Sequence, residues 1–371
     1  ESRHGIVLAK SPSAKKFGIR TGEPVVNAFR KCPNLHMDPP NHRMYREYSR
    51  RLMDFLKTYT PEIEQVSVDE CYMDFTGIAQ RFSSPVEAAY EIKARVYEKF
   101  GFTVNVGIST NKLLAKMASD FEKPNRVHTL FPEEVKEKMW PLPVSELFMA
   151  GKSSVAILEK LEIRTIGELA KTDPKLLEFH LKSHGRTLWE FANGIGDAKV
   201  QSEETAAKGV GNSTTLPKDV EKAEDAKKVL FSLAESVGKR LRKAGQKANM
   251  VSVEIRYSDF QNVSHQKQLG RASGADQVIY EAACSLFDEL WNGEPIRLLG
   301  VRTAKLVDED EPEQLSLFDL QFEVKSEKPK KSMEKLKKLS AAMGEIRGKY
   351  GADAVIRGSV LEQREYEKKQ F

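Results

Sequence analysis

The sequence predicts a multidomain α+β chain, and three observations carry that reading. Residues 63–130 alternate short strand-like runs with helical ones around an acidic bend. From Phe131 to about Gly194 the pattern is almost wholly helical. From Val210 to Leu306 it then reads strand, helix, strand, strand, helix, strand. A chain of 371 residues is long enough for roughly two to four domains with cores of their own. Its 59 Lys and Arg exceed its 54 Asp and Glu, a net charge of +5 that permits a polyanionic partner without demanding one. No apolar run of about 20 residues is present to span a bilayer, and no signal peptide opens the chain. Cys32, Cys71 and Cys284 lie far apart, so neither a zinc site nor a disulfide framework is suggested, and a reducing cytoplasm fits best.

The chain opens without Met, and Gly5 to Lys10 reads as a strand already under way, as in a fragment. Pro12 suits the first turn of a short helix through Phe17, which Gly18 can end. Glu23-Pro24 opens another helix, to Lys31. Asn41 caps a long helix to about Thr58, whose Tyr45, Tyr48, Leu52, Phe55 and Tyr59 recur at core spacing.

Gln65 to Gly77 is the pivot. Val66 and Val68 alternate with polar neighbours, Asp69 and Glu70 interrupt, and Tyr72 to Phe75 resume an apolar run. This suits two strands bent at Asp69-Glu70, or one kinked strand. Adjacent carboxylates need water, a basic partner or a cation to compensate them, and Mg²⁺ selects such oxygens. A solvated acidic turn is the alternative. A helix over 85–100 follows, with Ala89, Ile92, Val96 and Phe100 facing inward. Thr103 to Ser109 then alternates like a strand, and Thr110 or Ser109 can cap a helix from about Asn111 to Phe121. Leu113, Leu114, Met117 and Phe121 form its apolar stripe; Lys112, Lys116 and Lys123 lie near one face or just past its end. An acidic bend beside such a lysine row suits polyphosphate-metal chemistry.

Ser67-Val68-Asp69-Glu70-Cys71-Tyr72-Met73-Asp74 is followed by Val106-Gly107-Ile108-Ser109-Thr110-Asn111-Lys112 and by Ala115 through Asn125. These motifs resemble the palm of Y-family (translesion) DNA polymerases, which include the bacterial polymerase IV and V types. The resemblance extends from about Gly5 to Leu306. It implies a right-hand polymerase: fingers 1–41, palm 42–130 with a mixed sheet and helices, and helical thumb 131–197 with a helix-hairpin-helix. A linker 198–209, a βαββαβ little finger 210–306 and a tail 307–371 would complete it.

The resemblance further implies template-directed, low-fidelity synthesis from deoxynucleoside triphosphates on primer–template DNA, with two Mg²⁺ ions. Asp69 and Glu70 would be the catalytic metal ligands, and Lys123, with Lys15 assisting, would meet the triphosphate. The family often places Tyr and Arg where this chain has Pro12 and Lys15. Lys15 keeps the charge without the guanidinium fork, and Pro12 cannot replace a tyrosine. Cys71, Tyr72 and Asp74 are expected to be structural, Asp74 paired to a cation. The family's third carboxylate belongs to a strand that would precede Glu1. Rival readings are therefore a catalytically inactive fragment that binds DNA and clamp, and a cyclase-like palm.

Three groups of DNA and partner contacts follow in the same way. Met149-Ala150-Gly151 keeps one of the two glycines usual in a helix-hairpin-helix loop, making Gly151 and Lys152 candidates for a backbone phosphate. Lys239, Arg240, Arg242 and Lys243 cluster at a helix end, while Arg256, Lys267 and Arg271 lie on strands whose exposed face could track duplex phosphates. After Val307 an acidic run reads as a disordered linker. It leads to Gln314-Leu315-Ser316-Leu317-Phe318, which resembles the bacterial sliding-clamp peptide, with Gln314, Leu315, Leu317 and Phe318 as anchors. The implied location is cytoplasmic and nucleoid-associated.

Overall fold

The computed structural model describes residues 5–203 and 206–311, with 342–343, 346, 349–350 and 354–355 beyond them. The chain divides into two compact units, one of residues 37–205 and one holding residues 1–36 and 206–371.

In residues 5–36 the expected opening strand is reduced to an isolated bridge between Ile6 and Pro24. Helix α1 (Pro12–Lys16) has Pro at its start and Ser11 Oγ accepting from the Ala14 amide, and Gly18 takes φ +73° just beyond its end. Helix α2 spans Val25–Lys31.

The unit of residues 37–205 begins with α3 (His42–Leu56), capped by the Asn41 side chain. Strands β1 (Ile63–Gln65) and β2 (Cys71–Met73) pair antiparallel, α4 covers Pro85–Phe100, β3 covers Val106–Ile108, α5 covers Lys112–Asp120, and β4 (Val127–Thr129) pairs parallel to β3. The mixed pairing was expected, but the strands form two separate pairs. Leu52, Phe55, Tyr59, Ile63, Ile92 and Val96 make one core. Tyr45 and Tyr48, on the first turns of α3, are exposed instead of buried, although the Tyr48 ring still meets Phe102 at the edge of that core. Helix α5 is capped by Asn111, whose Oδ1 accepts from the Leu114 amide, and not by Ser109 or Thr110; Ser109 Oγ is spent on the Leu130 carbonyl. Gly107 of β3 allows α5 to press close, since a Cβ there would fall 1.9 Å from the Ala115 carbonyl oxygen.

Four helices follow: α6 (Lys152–Lys160), α7 (Ile166–Lys171), α8 (Pro174–Leu181) and α9 (Ser183–Ala192). Leu113, Leu114 and Met117 of α5 join Leu158, Ile166, Leu169, Leu177 and Leu188 in a second core. The lysine helix thus has its apolar stripe locked among α6 to α9, which fixes its opposite face.

Residues 206–311 form a four-stranded antiparallel sheet of β5 (Gly209–Val220), β6 (Gln246–Tyr257), β7 (Asn262–Ser273) and β8 (Ile296–Asp308), in the order β5-β8-β6-β7. Pro217, which has no amide to give, lies in the irregular register between Thr215 and Val220. Helices α10 (Ala223–Lys243) and α11 (Asp276–Leu290) cover one face, burying Leu230, Val237, Ile279 and Phe287 against Val251, Val253, Leu299 and Val301. The expected βαββαβ order is present.

Candidate active site and nucleic-acid face

Between β1 and β2 the chain turns through Val66–Glu70, so the two-strand alternative is the one adopted. Val66 and Val68 are exposed in that turn and contribute nothing to a core. Ser67 organises it. Its Oγ accepts from the Asp69 amide at 3.3 Å and the Glu70 amide at 3.1 Å, and donates to Asp69 Oδ1 at 2.7 Å. The Val66 and Ser67 amides both donate to the Glu70 carbonyl. Two carboxylates are thereby presented side by side from a tight turn.

Helix α5 supplies the opposing charge. Lys116 Nζ lies 2.7 Å from Glu70 Oε1 and 3.1 Å from Asp120 Oδ2. Burial disfavours its charge, but Glu70 and Asp120 outweigh that and hold the ammonium above the ordinary lysine range. Asp120 also meets Lys123 Nζ at 2.6 Å. Lys112 takes a different pair, Glu64 at 2.9 Å and Asp197 at 3.3 Å. The half-buried Tyr72 phenol sits near Lys116, Glu70 and Lys112, and desolvation pushes its pKa up.

Asp69, Glu70, Lys116 and Lys123 are therefore brought to one locality by the turn and one helix. Lys15 is exposed on α1, in the other unit. Asp74, expected to pair with a cation, instead accepts from the Thr76 amide at 2.7 Å, and Thr76 holds its pKa down. Burial pushes the Cys71 thiol up to about 11. Asp120 was not singled out from the sequence. Its signal was the Lys-x-x-x-Asp-x-x-Lys spacing, which puts one acid within reach of two bases.

The donor set can be tested against a hard divalent cation. Asp69 keeps Oδ2 for a ligand, and Glu70, 46% exposed, keeps lone pairs beyond its Lys116 contact. Among the described residues no group of three or more His, Cys, Asp or Glu is arranged to hold a metal. Two carboxylates completed by water and phosphate oxygens are a usual Mg²⁺ environment, so the residues fit.

The loop before α6 holds one glycine, Gly151, where a two-glycine turn would have a second. Met149 takes φ +69°, a left-handed conformation suited to glycine, and the Gly151 amide donates to the Met149 carbonyl. Gly151 N-caps α6 without a side-chain bond, and Gly151 and Lys152 are exposed.

The sheet separates the strand cations that the sequence grouped together. Arg256 stands opposite Asn262, bonded to its Oδ1 at 2.6 Å, on the face away from the helices. Lys267 is opposite buried Val251 and so points to the helix side of edge strand β7, while Arg271 lies past Gln268, where the pairing of β7 with β6 shifts register. The open face instead gains Arg302, opposite Ser252 and Gly211. With Asn212, Ser264, Gln266 and the small Gly211 and Gly300, Arg302 lines a trough of about 950 Å³. Knowing which face Arg302 occupies required the strand register. Gln314, Leu315, Leu317 and Phe318 lie outside the described residues.

This arrangement, an acidic turn facing a lysine helix with a separate polar sheet, defines a class. Residues 1–120 match the impB/mucB/samB family and residues 207–317 match its C-terminal domain. The chain belongs to this family, the Y-family translesion polymerases of the bacterial type. Membership implies a divalent metal cofactor. The chain is 46% identical to a DNA polymerase IV of Clostridium acetobutylicum, over 98% of this chain and 89% of that one. It is 36% identical to a DNA polymerase IV of Acetivibrio thermocellus, over 98% and 90%. Among solved structures, a Y-family polymerase chimaera of Dbh and Dpo4 superposes with TM-score 0.74 and 25% identity, over 83% of this chain and 89% of that one. A ternary complex of Dbh polymerase shares the fold, with TM-score 0.55 and 24% identity over 82% and 88%. Among the described residues no helix is long and apolar enough to cross a membrane.

Proposed function

We propose that the chain is a DNA-directed DNA polymerase that performs template-directed, low-fidelity synthesis past lesions. The observation that carries this is the Ser67-organised pair Asp69-Glu70 set against Lys116, in a chain so similar to polymerase IV relatives. In this reading residues 1–41 are fingers, 42–130 palm, 131–197 thumb, 198–209 linker, 210–306 little finger and 307–371 a tail.

Asp69 and Glu70 would hold two Mg²⁺ ions, which when bound make the primer 3′-hydroxyl more acidic and neutralise the leaving pyrophosphate. Ser67 orients the Asp69 carboxylate by its hydroxyl. Lys116 holds Glu70 Oε1 in an ion pair. Lys123 places a cation at the triphosphate, and Lys15 is a second candidate through the resemblance. Gly151 and Lys152 would take a backbone phosphate at the start of α6, while Arg256 and Arg302 would track phosphates without reading bases. Lys267 and Arg271 would reach phosphate only from the edge of the sheet. Gln314, Leu315, Leu317 and Phe318 would dock a bacterial sliding clamp, and the setting is the cytoplasm, at the nucleoid. The inactive-fragment and cyclase readings gain no support from the relatives.

Single-nucleotide extension of a primer–template by the full-length protein with Mg²⁺ tests the reading. Extension that needs Asp69 and Glu70 supports it. DNA binding without any extension overturns it in favour of the inactive form.

A further inference from the structure

We infer that Asp120 is a positioning residue that couples nucleotide binding to the freedom of Glu70, by dividing its carboxylate between Lys123 and Lys116. The four side chains form a line of alternating charge. Lys123 Nζ is 2.6 Å from Asp120 Oδ1, Asp120 Oδ2 is 3.1 Å from Lys116 Nζ, and Lys116 Nζ is 2.7 Å from Glu70 Oε1. The ends of the line differ in freedom. Lys123 is 57% exposed and lies past the end of α5, whereas Lys116 is 16% exposed and sits within the helix. An incoming triphosphate competes with Asp120 for a cation, and Lys123 is the one able to turn.

Once Lys123 turns to phosphate, Asp120 has Lys116 as its remaining ion-pair partner among the described residues. Lys116 then draws toward Asp120 and loosens from Glu70, whose Oε1 becomes available to a cation. Without nucleotide the same lysine shields Glu70. Linkage requires the reverse as well: a cation at Glu70 frees Lys116 to satisfy Asp120, which favours release of Lys123 to nucleotide by the same factor.

The inference rests on the polymerase reading of this site. Two titrations of the full-length protein on primer–template separate its parts: Mn²⁺ binding without nucleotide, followed by electron paramagnetic resonance, and deoxynucleotide binding in chelator, followed by fluorescence. Asp120→Asn keeps the shape and removes the charge. It should weaken Mn²⁺ binding about threefold, the scale of a partly exposed ion pair, while nucleotide binding in chelator holds or tightens. Lys116→Met should move both the other way, strengthening Mn²⁺ binding and weakening nucleotide binding. In Asp120→Asn the Mn²⁺ affinities with and without nucleotide should also draw together.

Variants that weaken both titrations in parallel would mean a structural role only and overturn the coupling. If Asp120→Asn does not fold, the opposed shifts of Lys116→Met decide alone. A wild type that binds neither primer–template nor nucleotide refutes the polymerase reading itself, an outcome distinct from failure of the coupling.

Discussion

Lys116 Nζ and Glu70 Oε1 stand 2.7 Å apart, a contact that ties α5 to the acidic turn across 46 residues of sequence. The pair is partly exposed, so it contributes at most about 1 kcal/mol to stability. Its value is in placing the Glu70 carboxylate. Glu70→Ala should therefore leave the melting temperature nearly unchanged while primer extension falls about 10³-fold, the scale of losing several kcal/mol of charge stabilisation in the transition state. Extension rates and thermal melts on the same preparation check both halves. Near-normal extension would remove Glu70 from the machinery.

The two faces of the four-stranded sheet should behave differently toward DNA. Arg256→Ala and Arg302→Ala each remove a cation from the open face, so each should lower the salt slope of primer–template binding by about one, whatever the sequence. Lys267→Ala removes a cation from the helix side of β7 and should lower it less. Anisotropy titrations at several salt concentrations measure the slopes. Slopes unchanged by Arg256→Ala and Arg302→Ala would show that DNA does not use the open face, and equal losses from all three would show that it does not prefer it.

What could be read in the sequence followed from local physics, and what could not depended on register and packing. The α5 stripe of Leu113, Leu114 and Met117 was legible because helical spacing alone dictates it, and all three are buried. The same spacing misled at Tyr45 and Tyr48, because periodicity does not say how far a core extends along a helix. Asp69 and Glu70 stood out as an unfavourable adjacency. Their supports did not: Ser67 acts through its own turn, and Lys116 reaches Glu70 only after the stripe has rotated α5 into place. Lys267 and Arg302 were separable only once cross-strand partners were known, since one residue of register exchanges the faces.

The peptide Gln314–Phe318 offers a prediction from sequence alone. Leu317→Ala with Phe318→Ala removes the two large apolar anchors expected to fill pockets on a clamp, where a few such residues carry most of the affinity. Clamp pull-down should be lost, while primer–template affinity stays within about twofold, since the phosphate contacts that dominate DNA binding are untouched. Retention of clamp at wild-type level would exclude this peptide as the anchor.

Arg242 and Asp276 join the end of α10 to the start of α11. The guanidinium meets both carboxylate oxygens, at 2.6 and 3.3 Å, and also donates to the Gly274 carbonyl. Asp276 is 10% exposed at its side chain, so Asp276→Ala strands a largely desolvated cation. We expect a loss of about 3 kcal/mol, the lower end for a broken buried pair, because Arg242 retains some solvent. Urea unfolding should show the shift in the transition of the unit containing the four-stranded sheet. A change below about 0.5 kcal/mol, the range of ordinary surface substitutions, would mean the pair is solvated in solution.

Asp120 gives a pH signature whose sign is fixed. Burial raises its pKa, but Lys123 and Lys116 outweigh burial and hold the carboxyl below its ordinary value of 3.8. A depressed folded-state pKa means that ionised Asp120 contributes stability above the unfolded value, which is lost as pH falls through the folded one. Asp120→Asn lacks that contribution at every pH. The stability gap between wild type and Asp120→Asn should be constant between about pH 5 and 7 and shrink below about pH 4, as the wild-type carboxyl takes up its proton. Because Asp120 is 40% exposed, solvent screening keeps the gap small, under about 1 kcal/mol. Urea midpoints at closely spaced pH values measure it. A gap that widens as pH falls would mean that Asp120 is held protonated in the fold, and that its contacts with Lys116 and Lys123 do not persist in solution.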